Sequence, residues 1–232
     1  MSLNTLCEEG LKDMNITNTS DYAFDLHENV PQNILEYCAD YAYKHQAQIL
    51  STEFTGNSFI EDNMYLPEHL IDECNFWLES IGLPNLHYAV IFQKRRYQEI
   101  KNPTIHIDYN ADYNDVAKCA LNIPIANCEN TTMSWWTGNY DTELSYSNST
   151  CCQSNTPSDD IIIPNVVVTW NEEPNLITTY NIPQLPHICR IDIPHSVTAK
   201  QDFRIMLSIR FDGNPTYEEI THKYLSYKKE LC

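Results

Sequence analysis

The sequence predicts a mainly β chain, a two-sheet jelly roll with two helices before it and one after. Three observations carry that expectation. Between residues 85 and 212, short β-branched and aromatic runs alternate with Asn, Asp, Pro and Gly clusters. Amphipathic helical patterns flank this region on both sides. A length of 232 residues is common for a single β domain, and no repeat or linker divides the chain. The expected layout is an arm and helices over 1–84, a jelly-roll core over 85–212, and a C-terminal helix over 213–232.

The first thirty residues are polar and aperiodic, which predicts an arm or irregular cap. Residues 31–46 place Leu35, Cys38, Ala39 and Ala42 at one-face helical spacing. A stronger helix spans 67–81, where Leu70, Ile71, Cys74, Trp77, Leu78 and Ile81 form an apolar stripe and Gly82 and Pro84 end it. Strands are expected near 87–96, 103–108, 117–124, 131–137, 161–170, 175–181, 188–193 and 202–211. Residues 138–160 are rich in Ser, Asn, Thr and Asp, which predicts a long loop of the kind that forms lids. Asp212 to Pro215 is a turn into a last helix with Ile220, Tyr224, Tyr227 and Leu231 on one face. Glu218 and Glu219 near its start and Lys228 and Lys229 near its end suit the helix dipole.

Composition narrows the function. Fourteen Lys and Arg against 32 Asp and Glu give a formal net charge of -18, a surface that repels a phosphate backbone. Nucleic acid is therefore a poor partner, and a cationic or neutral small molecule, peptide or protein substrate fits better. The N-terminus does not read as a signal peptide, and no stretch reads as a membrane span. Nine cysteines without Cys-x-x-Cys spacing point to reduced thiols and a cytoplasmic location. With five glycines in all, neither a phosphate-cradling loop nor a Gly-x-Ser-x-Gly elbow is present.

The chemistry concentrates at His106-Ile-Asp108. On a strand, positions two apart share a face, so His106 and Asp108 point together while Ile105 and Ile107 point away. A second imidazole from a distant strand would complete two histidines and a carboxylate with open positions opposite, the set expected of non-haem Fe(II) oxygenases. His195 is the chosen partner, and His187 competes with it. The following strand alternates Ile205, Leu207, Ile209 and Phe211 with Arg204, Met206, Ser208 and Arg210. If this strand lies in the sheet backed by the helices, its arginine face looks inside, where a guanidinium needs an anion and a ligand carboxylate would satisfy it. Taken alone, the pattern fits arginines that face solvent or pair with acidic residues. Tyr109, Tyr113 and Trp136 are expected at an aromatic pocket mouth.

These residues resemble the Fe(II)- and 2-oxoglutarate-dependent oxygenases, whose double-stranded β-helix carries His-x-Asp, a distal His and a basic residue on the strand after it. The resemblance covers roughly 87–211. It implies that His106, Asp108 and His195 bind Fe(II), that Arg204 or Arg210 holds the distal carboxylate of 2-oxoglutarate, with Arg204 preferred and Arg210 kept as a second contact, and that Ser208 and Asn122 face the co-substrate. It also implies that O2 and 2-oxoglutarate are consumed, with succinate and carbon dioxide released and a substrate hydroxylated. An aspartate at position 108 favours hydroxylation over halogenation, which needs that ligand position vacant. Two alternatives stand beside it: a cupin-like metal enzyme that does not use 2-oxoglutarate, and a non-catalytic β-barrel binding protein.

Overall fold

The computed structural model describes residues 21–51, 66–95, 105–149, 161–199 and 203–231. Two antiparallel sheets face one another, and three helices accompany them. In chain order the elements are β1 (Ala23–Asp25), α1 (Gln32–Ser51), α2 (Glu68–Ser80), β2 (Leu86–Arg95), β3 (His106–Asn110), β4 (Asp115–Val116), β5 (Cys119–Ala126) and β6 (Thr131–Thr137). There follow β7 (Tyr140–Ser149), β8 (Ile161–Trp170), β9 (Asn175–Asn181), β10 (His187–Arg190), β11 (His195–Ala199), β12 (Phe203–Phe211) and α3 (Tyr217–Glu230). One sheet runs β1-β10-β5-β12-β2; the other runs β7-β8-β3-β11-β6-β9, with β4 paired to β3.

Burial explains the layering. Ile205, Leu207, Ile209 and Phe211 of β12 pack outward with Ile34 and Cys38 of α1, Leu70, Cys74 and Leu78 of α2, and Ile220 and Tyr224 of α3. The opposite face of that sheet meets the second sheet, where Ala120, Cys189 and Met206 pack against Met133 and Trp135. A smaller cluster of Ile107, Val166 and Val168 covers the outer side of the second sheet. Helix α2 ends in a Schellman turn: Leu83 N–H donates to Leu78 O at 2.8 Å and Gly82 N–H to Glu79 O at 3.0 Å, with Gly82 at φ +76°. Helix α3 begins with a reciprocal capping box between Thr216 and Glu219.

Three expectations need correcting. The N-terminal arm contributes a strand, because β1 pairs with β10 through Ala23↔Cys189 and Asp25↔His187; residues 1–20 lie outside the described residues. The expected loop over 138–160 is strand over 140–149, fully laddered to β8 from Tyr140↔Trp170 to Ser149↔Ile161. Its polar composition suits a strand whose only partner among the described residues is β8, and 150–160 lie outside the described residues. The strand expected over 188–193 ends at Arg190, and a separate strand, β11, starts at His195 directly after Pro194.

Candidate metal centre

Two strands bring the triad together. Strand β3 places His106 and Asp108 on its inner face, and the main chain of Asp108 is held on both sides: its N–H donates to Ile191 O at 3.3 Å and its carbonyl accepts from Ala117 N–H at 2.9 Å. Strand β11 pairs with β3 at a single register position, His195↔His106, which sets the two imidazoles side by side with ring centroids 4.5 Å apart. His106 Nε2 lies 3.4 Å and His195 Nε2 3.7 Å from Asp108 Oδ1. One ligand atom from each residue lies within 4.8 Å of the others, the spacing of a group that can hold a metal ion.

The donors are in the right chemical state. His195 Nδ1 sits 2.9 Å from the carbonyl of Ile193, so Nδ1–H donates there and the Nε2 lone pair faces the cluster. Burial pushes the His195 imidazole down to about 4, and the neighbouring His106 adds to the shift, so the ring is neutral at neutral pH. Burial works to raise the Asp108 carboxyl, but the His106 hydrogen bond and the charge of Arg210 outweigh it and hold the group well below the usual carboxylate range. Two imidazoles and one carboxylate suit a divalent first-row metal. The His106 side chain is 27% exposed against 3% for His195, so the cluster opens on the His106 side.

Compared with protein-family models, curated proteins and solved structures, this chain matches none.

A chain of buried hydrogen bonds leads inward from Asp108. Arg210 donates from Nη2 to Asp108 Oδ2 and from Nη1 to Ser208 Oγ, each at 2.6 Å. Ser208 Oγ donates to Asn122 Oδ1 at 2.6 Å, and Asn122 Nδ2 reaches Cys189 Sγ at 3.0 Å. With Oδ2 taken by Arg210, Asp108 offers Oδ1 to a metal. Arg210 thus serves a ligand of the candidate centre, where the resemblance had it contacting the co-substrate. Arg204 is buried on the same inner face of β12.

Tyr109 and Trp136, expected at a pocket mouth, face away from the triad. Tyr109 packs with Ile107 on the outer side of the sheet, and its hydroxyl donates to Asn114. Alternation along β3 requires this, since Tyr109 shares the face of Ile107 and not of Asp108. Trp136 donates from Nε1 to Ser196 Oγ at 3.0 Å, and Ser196 points away from His195 along β11. Tyr113 donates to Asp212 at 2.9 Å, and its ring lies 5.1 Å from that of His87. His187, weighed as a rival metal ligand, sits on β10 in the other sheet and is no member of the cluster.

Proposed function

We propose that this chain is an Fe(II)- and 2-oxoglutarate-dependent oxygenase that hydroxylates an amino acid, peptide or protein side chain, or another small molecule. The observation that carries the reading is the His106, Asp108, His195 cluster at the interface of two sheets. Strand order supports it. Setting aside β1, β4 and the β7–β8 hairpin leaves eight strands, which run 1-8-3-6 in one sheet and 2-7-4-5 in the other, the order of a double-stranded β-helix.

His106 and His195 would bind iron through nitrogen and Asp108 through Oδ1. Bound there, iron would supply the oxygen activation that couples decarboxylation of 2-oxoglutarate to substrate hydroxylation. The protein's part would be placement: buried Arg204 would take the distal carboxylate, the hydrogen-bonded pair Asn122 and Ser208 would face the co-substrate, and the facing sheets would limit access of water to the reacting atoms. Cys38, Cys74, Cys119, Cys128 and Cys189 are buried and unpaired, which supports a reducing, cytoplasmic setting. Among the described residues no helix is long and apolar enough to cross a membrane.

One observation favours the second reading, a cupin-like metal protein without 2-oxoglutarate: Asp108 engages one of the two arginines offered for the co-substrate. The deciding experiment is an anaerobic titration of metal-free protein with Fe(II) and then 2-oxoglutarate. The visible charge-transfer band of a chelated 2-oxo acid, followed by succinate on admitting O2, is the expected result. Bound iron without the band would shift the assignment to the cupin-like reading.

A further inference from the structure

We propose that His187 is a ligand-binding residue which, together with Arg204, takes the distal carboxylate of a dicarboxylate that chelates the metal; this rests on the oxygenase reading above. The first support is position. His187 pairs with Asn122 of β5 and Asp25 of β1, and Asn122 in turn pairs with Ser208 of β12. All therefore share the face that looks onto the second sheet, and the Tyr180 ring from that sheet lies 5.5 Å from the imidazole.

The second support is an unmet polar atom. His187 is fully buried, and its Nδ1 lies 3.1 Å from the carbonyl of Leu185, which makes Nδ1 the donor. Nε2 then carries a bare lone pair, and no hydrogen-bond partner among the described residues reaches it. Buried polar atoms are normally satisfied, so one aimed into the space between sheets points to a ligand.

The third support is charge. The groups facing His187 are Asp25 from β1, Tyr180 from β9, Arg204 from β12 and Cys189 from its own strand. Tyr180 donates its hydroxyl to Asp25, which occupies that carboxylate. Arg204 acts electrostatically on His187, Cys128 and Cys189 alike, which places its guanidinium among the inner residues of this sheet. Burial, with Arg204 adding to it, pushes the imidazole down to about 4, so without a ligand it is neutral. An arriving carboxylate offsets both effects. His187 takes one proton from solvent, Nε2–H becomes a donor, and the carboxylate lies between two cations.

Reach agrees. Along the strand direction His187 lies one two-residue step, about 7 Å, from the level of Arg210, and two strands, about 10 Å, across from it. Arg210 holds the metal ligand Asp108, so a five-carbon dicarboxylate with its oxo acid end on the metal would extend toward His187.

The test uses protein loaded with Zn(II) or Mn(II), so that His106 and His195 are held by metal and do not titrate. Calorimetry compares 2-oxoglutarate with 2-oxobutyrate, which has the same chelating end and no distal carboxylate. The expected result is that wild-type affinity for 2-oxoglutarate falls about tenfold per pH unit from about pH 6 to pH 8. Repeating the titration in two buffers of different ionisation enthalpy should show about one proton taken up per ligand. The 2-oxobutyrate profile should be flat, and His187→Gln should bind 2-oxoglutarate more weakly and without the slope. Wild-type binding of 2-oxoglutarate with no proton uptake overturns the assignment of His187 alone, and needs no variant. A His187→Gln variant that keeps both slope and affinity overturns it as well. Failure of both oxo acids to bind the metal-loaded protein would overturn the co-substrate reading and this assignment with it.

Discussion

Arg210 reaches from β12 across the space between the sheets and donates to Asp108 at 2.6 Å, so the guanidinium of one sheet fixes the carboxylate of the other. Both side chains are largely buried, at 7% and 17% exposure, and removing one partner would leave a buried charge unmet. Arg210→Met should therefore cost about 3–5 kcal/mol in urea unfolding. In the fraction that folds it should weaken metal binding about 10–100-fold, because an outer partner that orients a ligand is lost. Arg210→Lys keeps the charge but not the two-pronged reach to Asp108 and Ser208, and should fall between. Unchanged metal affinity in the Met variant would show that Asp108 needs no support from the opposite sheet.

Gly82 separates two costs of adding a methyl group. At φ +76° a Cβ is strained in itself, and at this position it would also overlap the Tyr227 ring of α3. Gly213, at φ +79°, has nothing within 4 Å of a built Cβ. Gly213→Ala should thus show backbone strain alone, about 1–2 kcal/mol. Gly82→Ala should add about 1–3 kcal/mol from forcing α3 away from α2. Equal urea midpoints for the two variants would mean that the packing of Tyr227 on that turn contributes nothing.

The metal triad was legible because it depends on alternation, which sequence displays directly. His106 and Asp108 share a face, and the β12 pattern placed Arg204, Ser208 and Arg210 opposite Ile205 and Leu207 as the fold requires. Read consistently, the same rule would have put Tyr109 with Ile107 and away from the triad. What escaped the sequence was short or polar. Strand β11 has five residues, follows a proline, and owes its place to pairing between β3 and β6. Strand β7 is an edge among the described residues, where one side of the strand lies open and polar side chains are common. The link between Arg210 and Asp108 spans 102 residues and follows from how the sheets face, which no local pattern reports.

Acid should unfold the metal-free protein through its buried histidines. His187 and His195 both titrate at about 4 when folded, against an ordinary 6.5, because burial disfavours the charged ring. Between those values the unfolded chain binds more protons than the folded one. This contribution to stability is whole above pH 6.5 and is lost as pH falls toward 4. Each histidine should contribute a slope of about 1.4 kcal/mol per pH unit in that window. Urea unfolding in the presence of a chelator, between about pH 7 and pH 5, should show the combined slope, roughly halved in His187→Gln. A profile in which His187→Gln leaves the slope intact would mean that His187 is charged, or exposed, in the folded protein.

Metal should stabilise the fold through the triad and nowhere else that matters as much. A ligand that binds only the folded state at about a hundredfold excess over its Kd adds about 2.7 kcal/mol. For a chain of this size that is a rise in Tm of roughly 5–10 °C. Zn(II) or Co(II) should produce that rise in wild-type protein, and a chelator should reverse it. His195→Ala and His106→Ala should lose it, since two donors remain where three converge within 4.8 Å. His187→Gln should keep it, because that residue lies on the other sheet and outside the cluster. The acidic surface, with its net charge of -18, will attract divalent ions weakly at many places, so the histidine variants carry the argument. A Tm rise that survives in His195→Ala would place the metal on that diffuse acidic surface and remove the ground for an iron site between β3 and β11.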